Sequence, residues 1–132
     1  MMISTRGRYA LRVLIDLATN GNNGYTPMKE VAKRQNISLK YLERIMPMLK
    51  KANMVEGVHG KGGGYKLTRP VDEYVIGEIL RLTEGSLAPV NCLADKGNPC
   101  PEKNKCHTVK MWSELENLIN DFLDKKTLRD LL

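Results

Sequence analysis

A mainly α-helical chain with one small β-hairpin is predicted by three observations. Apolar residues return at helical spacing in five separate stretches, while only one stretch alternates as strands do. That stretch, 54–69, is interrupted by Gly60-Lys61-Gly62-Gly63-Gly64, a tip suited to joining two short strands. Aromatic residues make up 5% of the 132 positions, so the apolar content is mostly Leu, Ile, Val, Met and Ala, which favours helices packed on helices. A chain of this length makes one domain, or one compact domain with an appended element.

The first helix is expected over 5–19, where Ala10, Leu14, Leu17 and Ala18 recur at helical spacing with Leu11 and Ile15 beside them. Asn20-Gly-Asn-Asn-Gly24 ends it with residues that tolerate left-handed backbone. Thr26-Pro27 supplies an N-cap and a first helical position with its φ already set, opening a short helix through Val31, Ala32 and Arg34. Gln35-Asn36-Ile37 makes a tight turn, and Ser38 caps a third helix with Leu42, Ile45, Met46 and Leu49 on its inner stripe. Pro47 removes one backbone hydrogen bond inside that helix, so a bend or loosened turn is expected near Glu43. Short helix, tight turn and second helix form a helix-turn-helix pattern, and the hairpin that follows makes it a winged helix.

Beyond Pro70 a helix over 75–84 carries Ile76, Ile79, Leu80 and Leu82 and stops at Gly85. The last helix, 108–123, places Trp112, Leu115, Ile119 and Phe122 on one stripe, widened by Met111 and Leu118. A winged helix of this size already has its core, so the stripe is read as a dimer interface. The plan is a winged helix-turn-helix plus a long C-terminal dimerisation helix. It divides into a DNA-binding domain at 1–85, a cysteine loop at 86–107, and the dimerisation helix with a C-terminal segment at 108–132.

The net charge of +6 hides an asymmetry: residues 1–69 carry thirteen Lys and Arg against four Asp and Glu, a balance of +9, while the remainder carries eight against eleven, a balance of −3. A basic half joined to a mildly acidic half points the first half at a polyanion. No apolar run reaches transmembrane length. The glycine-rich tip fits neither G-x-G-x-x-G after a parallel strand nor G-x-x-x-x-G-K-[ST], which excludes the common nucleotide-binding loops. Neither a serine with its base nor a carboxylate pair at catalytic spacing is present, so an enzyme is not expected.

All three cysteines fall in one polar segment, Cys92-Leu-Ala-Asp-Lys-Gly-Asn-Pro-Cys100-Pro-Glu-Lys-Asn-Lys-Cys106-His107. Packing gives no reason for thiols there, and their odd number argues against a closed disulfide framework. No secretory signal precedes them, so a cytoplasmic protein with reduced thiols is expected. Clustered thiolates suit an iron–sulfur cluster or zinc, with redox-active thiols as the remaining reading.

Together, Ser4-Thr-Arg-Gly-Arg-Tyr-Ala-Leu-Arg12, Ile37-Ser-Leu-Lys-Tyr-Leu-Glu43, Gly60-Lys-Gly-Gly-Gly-Tyr-Lys-Leu67 and the cysteine segment resemble the Rrf2 family of bacterial transcription regulators, most of all its iron–sulfur branch, the IscR type. The resemblance runs to the closing Thr127-Leu-Arg-Asp-Leu-Leu132. It implies a homodimer, a repressor, whose winged helices read a palindromic operator in double-stranded DNA. It also implies a cluster, most often [2Fe-2S], held by Cys92, Cys100 and Cys106. The chain departs from the IscR type at Val109, where that branch has a histidine; His107, a partner-subunit residue or an exogenous group is the substitute fourth ligand. It departs again in the wing, where His59-Gly60-Lys61 replaces arginine followed by Gly-Pro. The family also holds cluster-free regulators of sulfur or cysteine metabolism that respond to zinc, thiols or a partner protein.

Roles follow from position. Ser38, Lys40, Tyr41, Glu43 and Arg44, near the start of the recognition helix, are expected at base edges. Arg44 suits guanine and Glu43 a cytosine amino group, and Glu43 resembles a glutamate that tunes operator choice in the IscR type. A surface pair with Lys40 is the other reading of Glu43. Arg6, Arg8, Lys50 and Lys51 are expected to clamp phosphates, and His59 and Lys61 to line the minor groove, with Lys66 adding charge. Tyr65 is expected to pack beneath the wing.

Overall fold

The computed structural model describes residues 3–22, 24–94 and 102–132. Helix α1, Thr5–Asn20, is capped by Ser4, whose Oγ accepts a hydrogen bond from the Gly7 N–H at 3.3 Å. It buries Ala10, Val13, Leu14 and Leu17. At its end the left-handed residue is Asn22, with φ 46°.

Helix α2, Met28–Gln35, starts one residue later than the Thr26-Pro27 signal suggests. Thr26 is not the N-cap, because its backbone is already committed: its N–H donates to the Tyr65 carbonyl at 2.8 Å and its carbonyl accepts from the Tyr65 N–H at 2.9 Å. Pro27 takes the cap position instead. Asn36 turns the chain in left-handed geometry, φ 53° and ψ 48°, and buries Ile37 behind it.

Helix α3, Leu39–Lys51, is capped by Ser38, which accepts from the Tyr41 N–H at 3.1 Å. Leu42, Ile45, Met46 and Leu49 are buried, the stripe that the spacing predicts. The helix runs without interruption through Pro47. Strands β1, Val55–Val58, and β2, Gly64–Leu67, pair antiparallel with Val55 opposite Leu67 and Val58 opposite Gly64. Gly64 has φ 151°, and any side chain there would collide with the Thr26 carbonyl, so the hairpin can dock on the helix-turn-helix only with glycine at this place.

Helix α4, Ile76–Glu84, lies against α1 and buries Ile76, Ile79 and Leu80. Helix α5, Val109–Asp124, docks on α4 through Arg81, which donates to Asn120 Oδ1 at 2.9 Å and pairs with Asp124 at 2.8 Å. Gly77 leaves the room that Asp124 occupies. The chain then returns to the main body. The Ile76 N–H donates to the Lys126 carbonyl at 2.8 Å, the Leu128 N–H donates to the Tyr74 carbonyl at 3.0 Å, and Leu128 is fully buried. Among the described residues no helix is long and apolar enough to cross a membrane.

Candidate nucleic-acid interface and cysteine segment

The first turn of α1 and the outer face of α3 form one surface. A cleft of about 460 Å³ is lined by Ser4, Thr5, Arg6, Tyr41, Arg44, Ile45 and Met48. A second, of about 250 Å³, is lined by Ser38, Lys40, Tyr41 and Arg44. Tyr41 and Arg44 border both, so the fold brings Arg6 together with four of the five expected base readers. Tyr41 is fixed edge-to-face on Tyr9, ring centres 5.3 Å apart, which holds the early turns of α3 against α1. Lys40, Glu43 and Arg44 are exposed. Among the described residues Glu43 has no cation within 4.0 Å, so the surface pair with Lys40, the other reading of Glu43, does not form.

Arg8 is exposed one helical step on and donates to Thr5 Oγ1 at 3.1 Å. Lys50 and Lys51 sit in the last turn of α3, about 18 Å along its axis from Ser38. There they also face the negative end of the helix dipole.

His59 and Lys61 are exposed at the hairpin tip, where Gly60 and Gly62 adopt φ 94° and 79°. Lys66 is not a free wing charge. It pairs with Glu56 at 3.0 Å, its register partner across the hairpin, and lies over the Tyr25 ring at 4.9 Å. Its hydrogen bond to Glu56 raises the Lys66 pKa above the usual lysine value and lowers that of Glu56. Tyr65 packs against the core, as expected.

One element of the reading head escaped the sequence reading. Asp16, fully buried on α1, receives Arg34 Nη2 at 2.7 Å, Arg34 Nε at 3.0 Å and Gln35 Nε2 at 2.9 Å. Arg12 donates to both the side chain and the carbonyl of Gln35. The last turn of α2, immediately before the Asn36 turn, is therefore tied to α1 by a buried ion pair. Burial pushes the Asp16 carboxyl up, but the hydrogen bonds from Arg34 and Gln35 and the Arg34 charge outweigh it and leave the pKa below the ordinary value. A lone acid at core spacing in α1 was the available signal.

Cys92 is half-buried in a 3₁₀ turn, Asn91–Leu93, and Cys106 is exposed just before α5. Cys106 Sγ lies 3.3 Å from Thr108 Oγ1, and hydrogen bonds from the Thr108 side chain and the backbone of Thr108 and Val109 lower its pKa. A thiolate-stabilising position fits a thiolate-bound cofactor or metal. Cys100 lies outside the described residues. Among the described residues no three His, Cys, Asp or Glu side chains are gathered as a metal site, and exposed His107 joins none.

On α5, Ile119 and Leu123 pack against the body of the chain, whereas Leu118, Phe122, Met111 and Leu115 are 67%, 61%, 51% and 37% exposed. The outward stripe is therefore 111, 115, 118 and 122. Trp112 is half-buried, and Ile119 faces inward, because α5 lies on α4 along that side.

The Rrf2 family model, described as an iron-dependent transcriptional regulator, matches residues 3–132. The chain belongs to the Rrf2 family. It is 34% identical over all 132 residues to the HTH-type transcriptional regulator IscR of Aliivibrio salmonicida, covering 77% of that protein. Among solved structures it matches CymR, the global cysteine regulator of B. subtilis, at 35% identity and TM-score 0.79, over 99% of this chain and 95% of that one. It matches IscR of T. potens at 33% identity and TM-score 0.75, over 99% of this chain and 85% of that one. This Rrf2 protein is thus a DNA-binding transcriptional regulator of winged-helix fold and not an enzyme.

Proposed function

We propose that the protein is a homodimeric repressor that reads a palindromic operator and responds to iron–sulfur status through Cys92, Cys100 and Cys106. The carrying observation is the position of Cys106. A thiol held toward its ionised form ends the cysteine segment two residues before the N-cap of α5, the helix whose exposed apolar stripe suits a second copy. Ligand order at Cys106 then bears directly on the N-terminus of the helix proposed to join the subunits.

A bound cluster would supply an iron- and redox-sensitive tie between Cys92, on the α4 side, and Cys106, at the start of α5, with Cys100 between them in sequence. The protein's own residues do the rest. In this reading Arg44 and Lys40 face base edges and Arg6 faces phosphate beside them across the clefts they line, while Asp16 with Arg34 ties α2 to α1. His107, a partner-subunit residue or an exogenous group would complete the ligand set where Val109 cannot.

The test is the spectrum of protein purified without oxygen. Visible charge-transfer bands that disappear on air exposure or chelation are expected. A colourless preparation that resists reconstitution with iron and sulfide would favour the second reading, a cluster-free, thiol- or cysteine-responsive regulator. The observation on that side is the CymR match, which spans 95% of the cysteine regulator's chain.

A further inference from the structure

The first turn of α1 is held by a residue eighty positions away. The Ser4 N–H and the Ser4 Oγ–H both donate to Glu84 Oε1, at 3.1 and 2.7 Å. Glu84 is the last residue of α4, and Gly85 follows it with φ 80°. Its carboxylate reaches Ser4 only because position 7 is glycine, since a side chain there would collide with Glu84 Oε1 and stand 3.0 Å from Thr83 Oγ1.

The charge pattern makes this contact unusual. A helix N-terminus favours carboxylates in its first turn, yet α1 has no acidic residue there and carries Arg6 and Arg8 instead. The carboxylate that would ordinarily come from α1 itself comes from α4. The first turn thereby stays cationic on the side of the cleft it shares with Tyr41 and Arg44, while its positive dipole is offset from behind.

We infer that Glu84 is a positioning residue for DNA binding: it fixes the first turn of α1 so that Arg6 meets phosphate beside the recognition helix. The inference rests on the reading of Arg6 as a phosphate contact. It carries a sign that charge alone reverses. Removing an acid from a DNA-binding surface raises affinity by simple electrostatics. Removing a positioning acid lowers it.

The experiment uses the full-length protein and a duplex that the wild type has enriched from a random-sequence pool, with affinity measured across a salt series. Glu84→Ala should weaken binding about fivefold and make the log–log salt slope shallower by about 0.9, one phosphate contact. Glu84→Gln, whose amide oxygen can accept the same two hydrogen bonds, should stay close to wild type. In an Arg6→Ala background, Glu84→Ala should have no further effect. Thermal melts accompany each variant, and should Glu84→Ala fail to fold, Gly7→Ala, whose added Cβ would displace the Glu84 carboxylate from Ser4, tests the same contact with the same expected loss. Tighter or unchanged binding by Glu84→Ala beside weakened binding by Arg6→Ala would overturn the inference alone. If Arg6→Ala itself left affinity and slope unchanged, the phosphate reading would fall and take the inference with it.

Discussion

The winged-helix body and α5 have apolar residues at the same spacing, yet they finish differently. In α3 every residue of the stripe Leu42, Ile45, Met46 and Leu49 is buried, because α1, α2 and the wing close over it. In α5 none of the sixteen residues is buried. Ile119 and Leu123 lean on the body, and Leu118 and Phe122 overhang an apolar groove of about 530 Å³ that also includes Ile3 and Leu80. Periodicity reports that a helix has an apolar face; whether that face is satisfied depends on how much surface the rest of the chain can bring to it. Here α4 covers one side of α5 and, among the described residues, nothing covers the other, which is the face the proposed second copy would take.

The largest effect should come from charging the uncovered side. Leu118→Asp with Phe122→Asp puts two carboxylates into the proposed seam and should cost several kcal/mol of association, on the order of 3 or more. The expected product is a folded monomer that binds DNA near its nonspecific level, since one reading head cannot span two half-sites. Sedimentation velocity and a thermal melt on the same sample decide it: an unchanged dimer would disconnect α5 from subunit contact. Ile119→Asp is the contrasting variant. Its side chain faces the body, so it should lower the melting temperature of the chain itself.

A second contrast lies within the body, between its apolar packing and the buried pair of Asp16 with Arg34. Removing one partner of a buried pair strands the other, and Arg34 keeps 35% of its side chain exposed, so Asp16→Ala should cost about 3 kcal/mol, the low end for such pairs. The pH dependence has a definite sign. The Asp16 pKa is depressed in the folded state, so its contribution is complete above the ordinary carboxylate value of about 4 and is lost as pH falls through the lower folded value. Denaturant melts between neutral pH and about pH 3 should show an acid-side loss in the wild type that is smaller in Asp16→Asn. Equal acid sensitivity in both would assign the loss to other carboxylates.

The features legible in the sequence were those set by neighbours along the chain. Ser38 as a cap, the tight turn at Gln35-Asn36-Ile37 and the α3 stripe depend on residues within one or two turns, and all stand as expected. The misread features depend on distant partners. Thr26 looks like a cap until Tyr65 takes its backbone, and Lys66 looks like a free charge until register places Glu56 opposite. Ile119 looks equivalent to Phe122 until α4 takes one side of the helix. The contacts of Glu84 with Ser4 and of Asp16 with Arg34 link α1 to α4 and to α2; the core spacing of Asp16 signals a buried acid, but nothing local names the partner of either.

The smallest predicted effect separates the two lysines of the hairpin. Lys61 stands at the tip with no carboxylate within 4.0 Å among the described residues, whereas the Lys66 ammonium is held by Glu56 on the strand beside it. Salt dependence of DNA binding counts phosphates neutralised by cations at the interface, not the net charge of the protein. Lys61→Ala should therefore make the slope shallower by about 0.9 and weaken binding by a similar factor on every duplex, because a tip lysine reads no major-groove base. Lys66→Ala should leave the slope nearly unchanged, since its charge is already matched within the hairpin, and should show mainly as a small stability loss, at most about 1 kcal/mol for an exposed pair. If Lys66→Ala changed the slope as much as Lys61→Ala, the Glu56 pair would have to open on DNA and both lysines would touch phosphate. If neither changed it, the glycine-rich tip would stand clear of the duplex and DNA affinity would reside in α1 and α3 alone.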